Sequence, residues 1–203
     1  MKIAVFVSGR GSNLQAILNS QETKDIVEVK AVISDKIDCG AFEIAKNHSI
    51  PTFSISNSPG ANGRIGYNEL SKILSEFKVE LIVLAGFLKL IPADFISEYK
   101  NRIINIHPAL LPSFGGEGMY GKNVHKAVFE SSAKVSGPTV HFVDNSYDTG
   151  KIIGQRCVDI SDARSPEEIA EKVLLEEHKL LPYILRKFAD NKVVFQENRV
   201  MLL

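Results

Sequence analysis

NRIINIHPALLP (residues 101–112) is an Ile-rich apolar run that carries two polar side chains, Asn105 and His107, and stops at Pro108. Successive strand side chains point to opposite faces, so residues two apart point the same way. A buried polar group without a partner costs about 1–3 kcal/mol. The pair is therefore either satisfied inside the fold or faces a cleft and works there. A carboxylate, Asp148, lies in VDNSYDTG (143–150), in a turn between two expected strands. An amide, an imidazole and a carboxylate suit acyl chemistry. The amide can stabilise an oxyanion. The imidazole can move protons near neutral pH, and the carboxylate can orient or charge it. Structural readings stand beside this one. A His before Pro at a strand end is often a satisfied structural residue, and Asp before Thr-Gly is a common turn residue. His141, inside an expected strand, reads as a packed, hydrogen-bonded core residue. There is no GxSxG elbow, no HExxH and no local Cys/His signature. The common nucleophile and metal readings lack support, and no metal is expected.

A second cluster is SGRGSN (8–13), between an expected strand and an expected helix. The free amides at a helix N-terminus can hold an anion there. Gly9 and Gly11 permit tight backbone geometry, and Ser12 and Asn13 add side-chain donors. A dinucleotide fingerprint asks for Gly or Ala where this chain has Leu14. Asp35 lies at about the right distance for a ribose contact, so that reading is weakened but stays open. A Walker A loop is excluded, because no Gly-Lys-Ser/Thr follows. The plain alternative is a strand–helix turn capped by Ser12.

These residues need a scaffold. KIAVFV (2–7) reads as a fully buried strand, and LQAILNS as the helix after it. Strands are expected at 27–33, 51–55, 81–86 and along RIINIH, and helices at 40–48, 67–77 and 93–99. In the helix at 67–77, Leu70, Ile73, Leu74 and Phe77 share one face. Strands apolar on both faces and alternating with helices imply a parallel sheet covered by helices. SGPTVHFV (136–143) and KIIGQRCVDI (151–160) read as two antiparallel strands joined across DNSYDTG. A long helix from Pro166 to Ala189 is capped by Ser165, with Glu167 and Glu168 beside its positive end. VVFQENRVMLL reads as a terminal hairpin. FGGEGMYGKNVH (114–125) is either a flap near a substrate or a surface loop.

At 203 residues, one domain over 1–203 is expected. The chain is 44% apolar and 24% charged, as in a soluble globular protein. Its 24 Lys and Arg balance 24 Asp and Glu, which argues against a nucleic-acid partner. Cys39 and Cys157 lack metal spacing and read as free thiols in a reducing compartment. The apolar run Ile3–Val7 is too short for a signal segment or a membrane span. A cytoplasmic protein is expected, with no membrane partner, as a monomer or weak homodimer.

SGRGSNL, VLAGFLKLI, INIHPALLPSF and HFVDNSYDTG, in this order, resemble the phosphoribosylglycinamide formyltransferase family. The likeness covers nearly the whole chain. It implies an α/β, Rossmann-like formyltransferase fold: a mostly parallel central sheet, helices on both faces, and antiparallel strands on the C-terminal side. It implies transfer of the formyl group of 10-formyltetrahydrofolate, the donor co-substrate, to the amine of glycinamide ribonucleotide in purine biosynthesis. It implies that Asn105, His107 and Asp148 are catalytic. Gly11, Ser12 and Asn13 would hold the substrate phosphate, and Glu177 would lie near its ribose. Arg64, Leu88, Lys89, Leu90 and Ile91 would serve the folate, together with Asn105. The chemistry agrees. Amine attack on a formyl group develops an oxyanion, to which Asn105 and a protonated His107 would donate. Asp148 would raise the His107 pKa and hold a relaying water. The loop 114–125 is longer and richer in Gly than is usual for the family, and Lys89 stands where Arg is common. The rivals are a formyltetrahydrofolate deformylase, expected to carry an extra N-terminal domain; a methionyl-tRNA formyltransferase, with an extra C-terminal one; and a non-catalytic or NAD-binding Rossmann domain.

Overall fold

The computed structural model describes residues 1–56 and 63–203, which cluster into two compact units, Met1–Ile104 and Asn105–Leu203.

The first unit alternates strands and helices. β1 (Lys2–Val7) leads to α1 (Ser12–Asn19), β2 (Glu28–Ser34) to α2 (Ala41–Asn47), and β3 (Thr52–Ser54) to α3 (Tyr67–Glu76). β4 (Leu81–Leu84) and α4 (Ala93–Glu98) follow, and β5 (Ile103–His107) begins here. The sheet runs β3-β2-β1-β4, with parallel pairing throughout; Val5, for example, lies between Val32 and Val83. Ile3 to Val7 are wholly buried, as expected of a strand covered on both faces. Leu70 and Leu74 of α3 are the buried part of its apolar face. The expected elements are all present in this unit, with bounds that differ from the expected spans by one or two residues, as at α1, β2, β3 and β4.

The second unit holds the rest of β5 and then α5 (Lys122–Glu130), β6 (Val135–Ser136), β7 (Thr139–Phe142), β8 (Ile152–Gln155) and β9 (Val158–Asp159). It closes with α6 (Pro166–Ala189) and the hairpin β10 (Val193–Gln196)–β11 (Arg199–Leu202). β5, β7 and β8 are neighbours, and β7 pairs antiparallel with β8. The fold is thus α/β, mostly parallel, with antiparallel strands on the C-terminal side. Two expectations need correction. Each of the two long strands expected at 136–143 and 151–160 is broken, because β6 leaves β7 and pairs instead with β9. Gly137 sits at the break with φ +147°, and a Cβ there would fall 1.8 Å from the Arg156 carbonyl oxygen. The loop expected at 114–125 ends earlier, since α5 begins at Lys122. Val124 and Val128 of α5 join Ala109, Ile160, Ile169 and Val173 in a buried cluster. α6 starts as expected, with Ser165 Oγ accepting from the Glu168 amide at 3.2 Å. Among the described residues no helix is long and apolar enough to cross a membrane.

Candidate active site

β5 ends in a turn that is tied down from β7 and β8. The Leu111 amide donates to Thr139 Oγ1 (3.0 Å), and Thr139 Oγ1 donates to the Ala109 carbonyl (2.6 Å). Gln155 Nε2 donates to the Leu111 carbonyl and to Thr139 Oγ1, each at 2.9 Å. The backbone after His107 is therefore fixed, and the chain at Phe114–Gly116 returns over the strand end. The Phe114 carbonyl accepts from His107 Nε2 (2.8 Å), and the Gly116 amide donates to Asp148 Oδ2 (3.0 Å).

Three expected side chains converge here. His107 Nδ1 lies 3.5 Å from Asp148 Oδ2. A residue read as core packing links the remaining member. His141 Nε2 lies 3.1 Å from Asn105 Nδ2 and 3.5 Å from Asp148 Oδ1, while its Nδ1 faces the Phe142 carbonyl at 2.8 Å. His141 is buried and hydrogen-bonded, as expected, but it belongs to this cluster. The signal was the one that marked Asn105 and His107: a polar side chain between apolar neighbours, Val140 and Phe142. Asp148 itself holds φ +56°, a left-handed conformation that Asp tolerates better than most residues.

The charge state departs from expectation. Burial pushes the His107 imidazole down; Asp148 and the Phe114 carbonyl push it up, and His141 pushes it down further. Burial wins, so His107 lies below the usual histidine value and is neutral at pH 7. Asp148 does raise His107, as expected, but not enough to protonate it in the free protein. For Asp148, burial pushes the carboxyl up, but His141, His107 and the Gly116 amide outweigh it. Asp148 is held below the usual carboxylate value and is ionised.

The second unit also carries Glu177, buried on α6, and His125, which sequence reading missed because α5 was not expected. His125 is buried, and its Nδ1 has no hydrogen-bond partner among the described residues.

In the first unit, Gly11 occupies the N-cap of α1 with φ +83°, and a Cβ there would meet the Ala41 Cβ at 2.7 Å. Ser12 is not the cap, as one reading had it. It is the first helical residue, is exposed, and makes no capping bond. Asn13 is buried. Ser8 ties this turn to the segment after β4: its amide donates to the Gly86 carbonyl (3.0 Å), and its Oγ accepts from the Leu88 amide (3.0 Å). The Ser8 hydroxyl donates in turn to Asp35 Oδ1 at 2.6 Å. Asp35 is thus engaged within the protein, which weakens the dinucleotide reading further. Leu88 and Leu90 are exposed, Lys89 also, and Ile91 is buried. Arg64 is half-buried, and its Nε lacks a partner among the described residues.

Residues 1–185 match the family described as formyl transferase. This chain belongs to the formyl transferase family. Among relatives, it is 42% identical over 205 residues to a chloroplastic phosphoribosylglycinamide formyltransferase of Arabidopsis thaliana, covering all of this chain and 70% of that one. It is 40% identical to the Vigna unguiculata protein of the same name, again over all of this chain and over 65% of the relative. The chain thus spans about two thirds of the length of these plant relatives. The solved phosphoribosylglycinamide formyltransferase of Anaplasma phagocytophilum superposes with a TM-score of 0.88 at 32% identity, covering 99% of this chain and 92% of that one. A formyltetrahydrofolate deformylase of Pseudomonas syringae shares the formyl transferase fold at a TM-score of 0.83 and 23% identity, over all of this chain and 66% of that one.

Proposed function

We propose that this chain is a phosphoribosylglycinamide formyltransferase of purine biosynthesis, moving the formyl group of 10-formyltetrahydrofolate to the amine of glycinamide ribonucleotide. The observation that carries this reading is the convergence of Asn105, His107 and Asp148, linked through His141, in one partly buried cluster. The substrate amine is its own nucleophile, so the enzyme needs no Ser or Cys. As the amine nitrogen bonds to the formyl carbon, negative charge grows on the formyl oxygen, and Asn105 donates to it. The resting charges suit the next step. Neutral His107 and ionised Asp148 are both proton acceptors. The proton leaving the amine passes to them, directly or through water, and returns to the folate nitrogen as the C–N bond to the donor breaks. His107 thus works first as base and then as acid, rather than entering the reaction protonated.

Gly11, Ser12 and Asn13 hold the substrate phosphate in this reading, because the opening amides of α1 have no intrahelical acceptor. Glu177 serves the ribose. Arg64 and the segment Leu88–Lys89–Leu90–Ile91 serve the folate. Residues 1–203 act as one formyltransferase domain. Cytoplasmic placement belongs to the same proposal and is supported by the two free thiols, Cys39 and Cys157.

The test is incubation with 10-formyltetrahydrofolate, with and without glycinamide ribonucleotide. Formyl loss only when the nucleotide is present is the expected result. Loss to water without the nucleotide would make the chain a deformylase, and no loss in either case would remove the catalytic reading.

A further inference from the structure

We infer that Ser8 is a positioning residue for the segment 88–91: its hydroxyl, gripped by Asp35, sets where the Leu88 backbone lies and so how Leu88 and Leu90 are presented to the folate. The inference rests on the reading above that this segment serves the folate. Residues 87–91 belong to no helix or strand, so what they touch sets their course. The two ends are anchored by apolar side chains. Phe87 is buried and meets Phe6 edge to face, with ring centroids 5.4 Å apart, and Ile91 is buried as well. Between these anchors Leu88 and Leu90 are exposed.

The backbone between the anchors is tied to Ser8, which follows β1 and is 2% exposed. A hydroxyl has one hydrogen and two lone pairs. The Leu88 N–H can only donate, so at 3.0 Å Ser8 Oγ accepts from it. The hydroxyl hydrogen is then free for Asp35, whose Oδ1 lies 2.6 Å away. A hydroxyl that donates also accepts more strongly, so Asp35 tightens the hold on Leu88. The Ser8 amide donates to the Gly86 carbonyl at 3.0 Å. Ser8 thereby joins the carboxyl ends of three neighbouring parallel strands, β2, β1 and β4, the edge at which such sheets bind ligands. Loss of the hydroxyl is not a loss of the fold. Leu88 is exposed enough for water to take its amide hydrogen, but water leaves the backbone free to shift between Phe87 and Ile91. The effect therefore falls on the placement of the segment more than on stability.

Kinetics and hydrogen exchange test the inference separately. Ser8→Ala should raise KM for 10-formyltetrahydrofolate by about 3–10-fold, the affinity equivalent of one ordinary hydrogen bond. Both kcat and KM for glycinamide ribonucleotide should change by less than about twofold. Asp35→Ala should raise the folate KM in the same sense, and the double variant should be no worse than Ser8→Ala, because both changes act on one hydroxyl. In the free protein, exchange of the Leu88 amide should quicken about tenfold or more in Ser8→Ala. A folded Ser8→Ala with the wild-type folate KM would overturn the inference. So would equal rises in both KM values or a fall in kcat alone, which mark a general loosening. If Ser8→Ala does not fold, Asp35→Ala carries the test, and an unchanged folate KM there is the overturning result. If the wild-type protein transfers no formyl group, the proposed function falls, and Leu88 exchange still decides whether Ser8 holds the segment; equal exchange in wild type and variant means that it does not.

Discussion

His107 is held by one firm bond and one loose one. Its Nε2 donates to the Phe114 carbonyl at 2.8 Å, whereas Nδ1 stands 3.5 Å from Asp148, beyond a good hydrogen bond. The ring is thus fixed in place with one nitrogen left to take a proton. His107→Ala should lower turnover by about 10²–10⁴-fold, the usual range for a proton-transfer residue, while the melting temperature stays close to wild type. Wild-type turnover in the folded variant would remove His107 from the reaction. Asp148 supports the imidazole's charged form against burial, so Asp148→Asn should move the His107 titration still lower, as followed by proton NMR of the ring. A rise, or no movement, would mean that the two groups do not interact as their spacing implies. Asn105 and His107 were legible in the sequence because a polar side chain in an apolar run is costly without a purpose, and Asp148 was legible only as a carboxylate in the turn between two expected strands. His141 carries the same signal, but in sequence alone ordinary core hydrogen bonding accounts for it equally well. Its link to Asn105 depends on two strands 36 residues apart, which no local pattern shows.

The segment between β5 and α5 places Gly115 between the turn after β5 and the Asp148 turn. Gly115 lies against both: a Cβ there would fall 2.5 Å from Leu111 Cδ2 and 3.2 Å from the Asp148 Cβ. The leucine methyl can swing aside, but Asp148 can give way only by shifting its turn. Gly115→Ala should therefore cut kcat more than tenfold, the effect of small misplacements in a catalytic array, with a much smaller change in stability. A variant with full activity would show that the Phe114–Gly116 strap tolerates displacement. A separate element-scale test is Ser165→Ala, which removes the N-cap of α6 and should cost about 1 kcal/mol in denaturant unfolding. That cap was visible in the sequence because Ser-Pro-Glu-Glu is a local helix-start signal. α5 was not, because Gly, Lys and Asn open it and its buried residues find their partners at Ile160, Ile169 and Val173. The breaks that create β6 and β9 were hidden for a similar reason. The approach of Gly137 to Arg156 is a tertiary contact, and period-two alternation continues across it.

At the scale of the whole molecule, buried and half-buried histidines tie stability to pH. His107, His125 and His178 all lie below the ordinary histidine value of 6.5, each chiefly because burial disfavours the charged form, with neighbouring imidazoles adding to the effect at His107 and His125. The unfolded chain takes up protons at these positions near pH 6.5, where the folded protein does not. Where the unfolded state binds more protons, stability rises with pH. The contribution is complete above pH 6.5 and is lost progressively as the pH falls below it. Asp148 acts in the same direction, but its window opens only below the ordinary carboxylate value of 3.8. The melting temperature should therefore be level from pH 8 to 7 and fall by several degrees between pH 6.5 and 5, since 1 kcal/mol moves a chain of this size by about 2–4 °C. His125→Asn separates the sources. It removes a buried titrating ring whose Nδ1 has no partner among the described residues, so the acid slope between pH 6.5 and 5 should become shallower even if the variant is less stable at pH 8. An unchanged slope would assign the acid sensitivity to His107 and His178 alone. A melting temperature that rises on acidification would mean that these imidazoles are charged in the folded state, and the base-first role of His107 would fall with it.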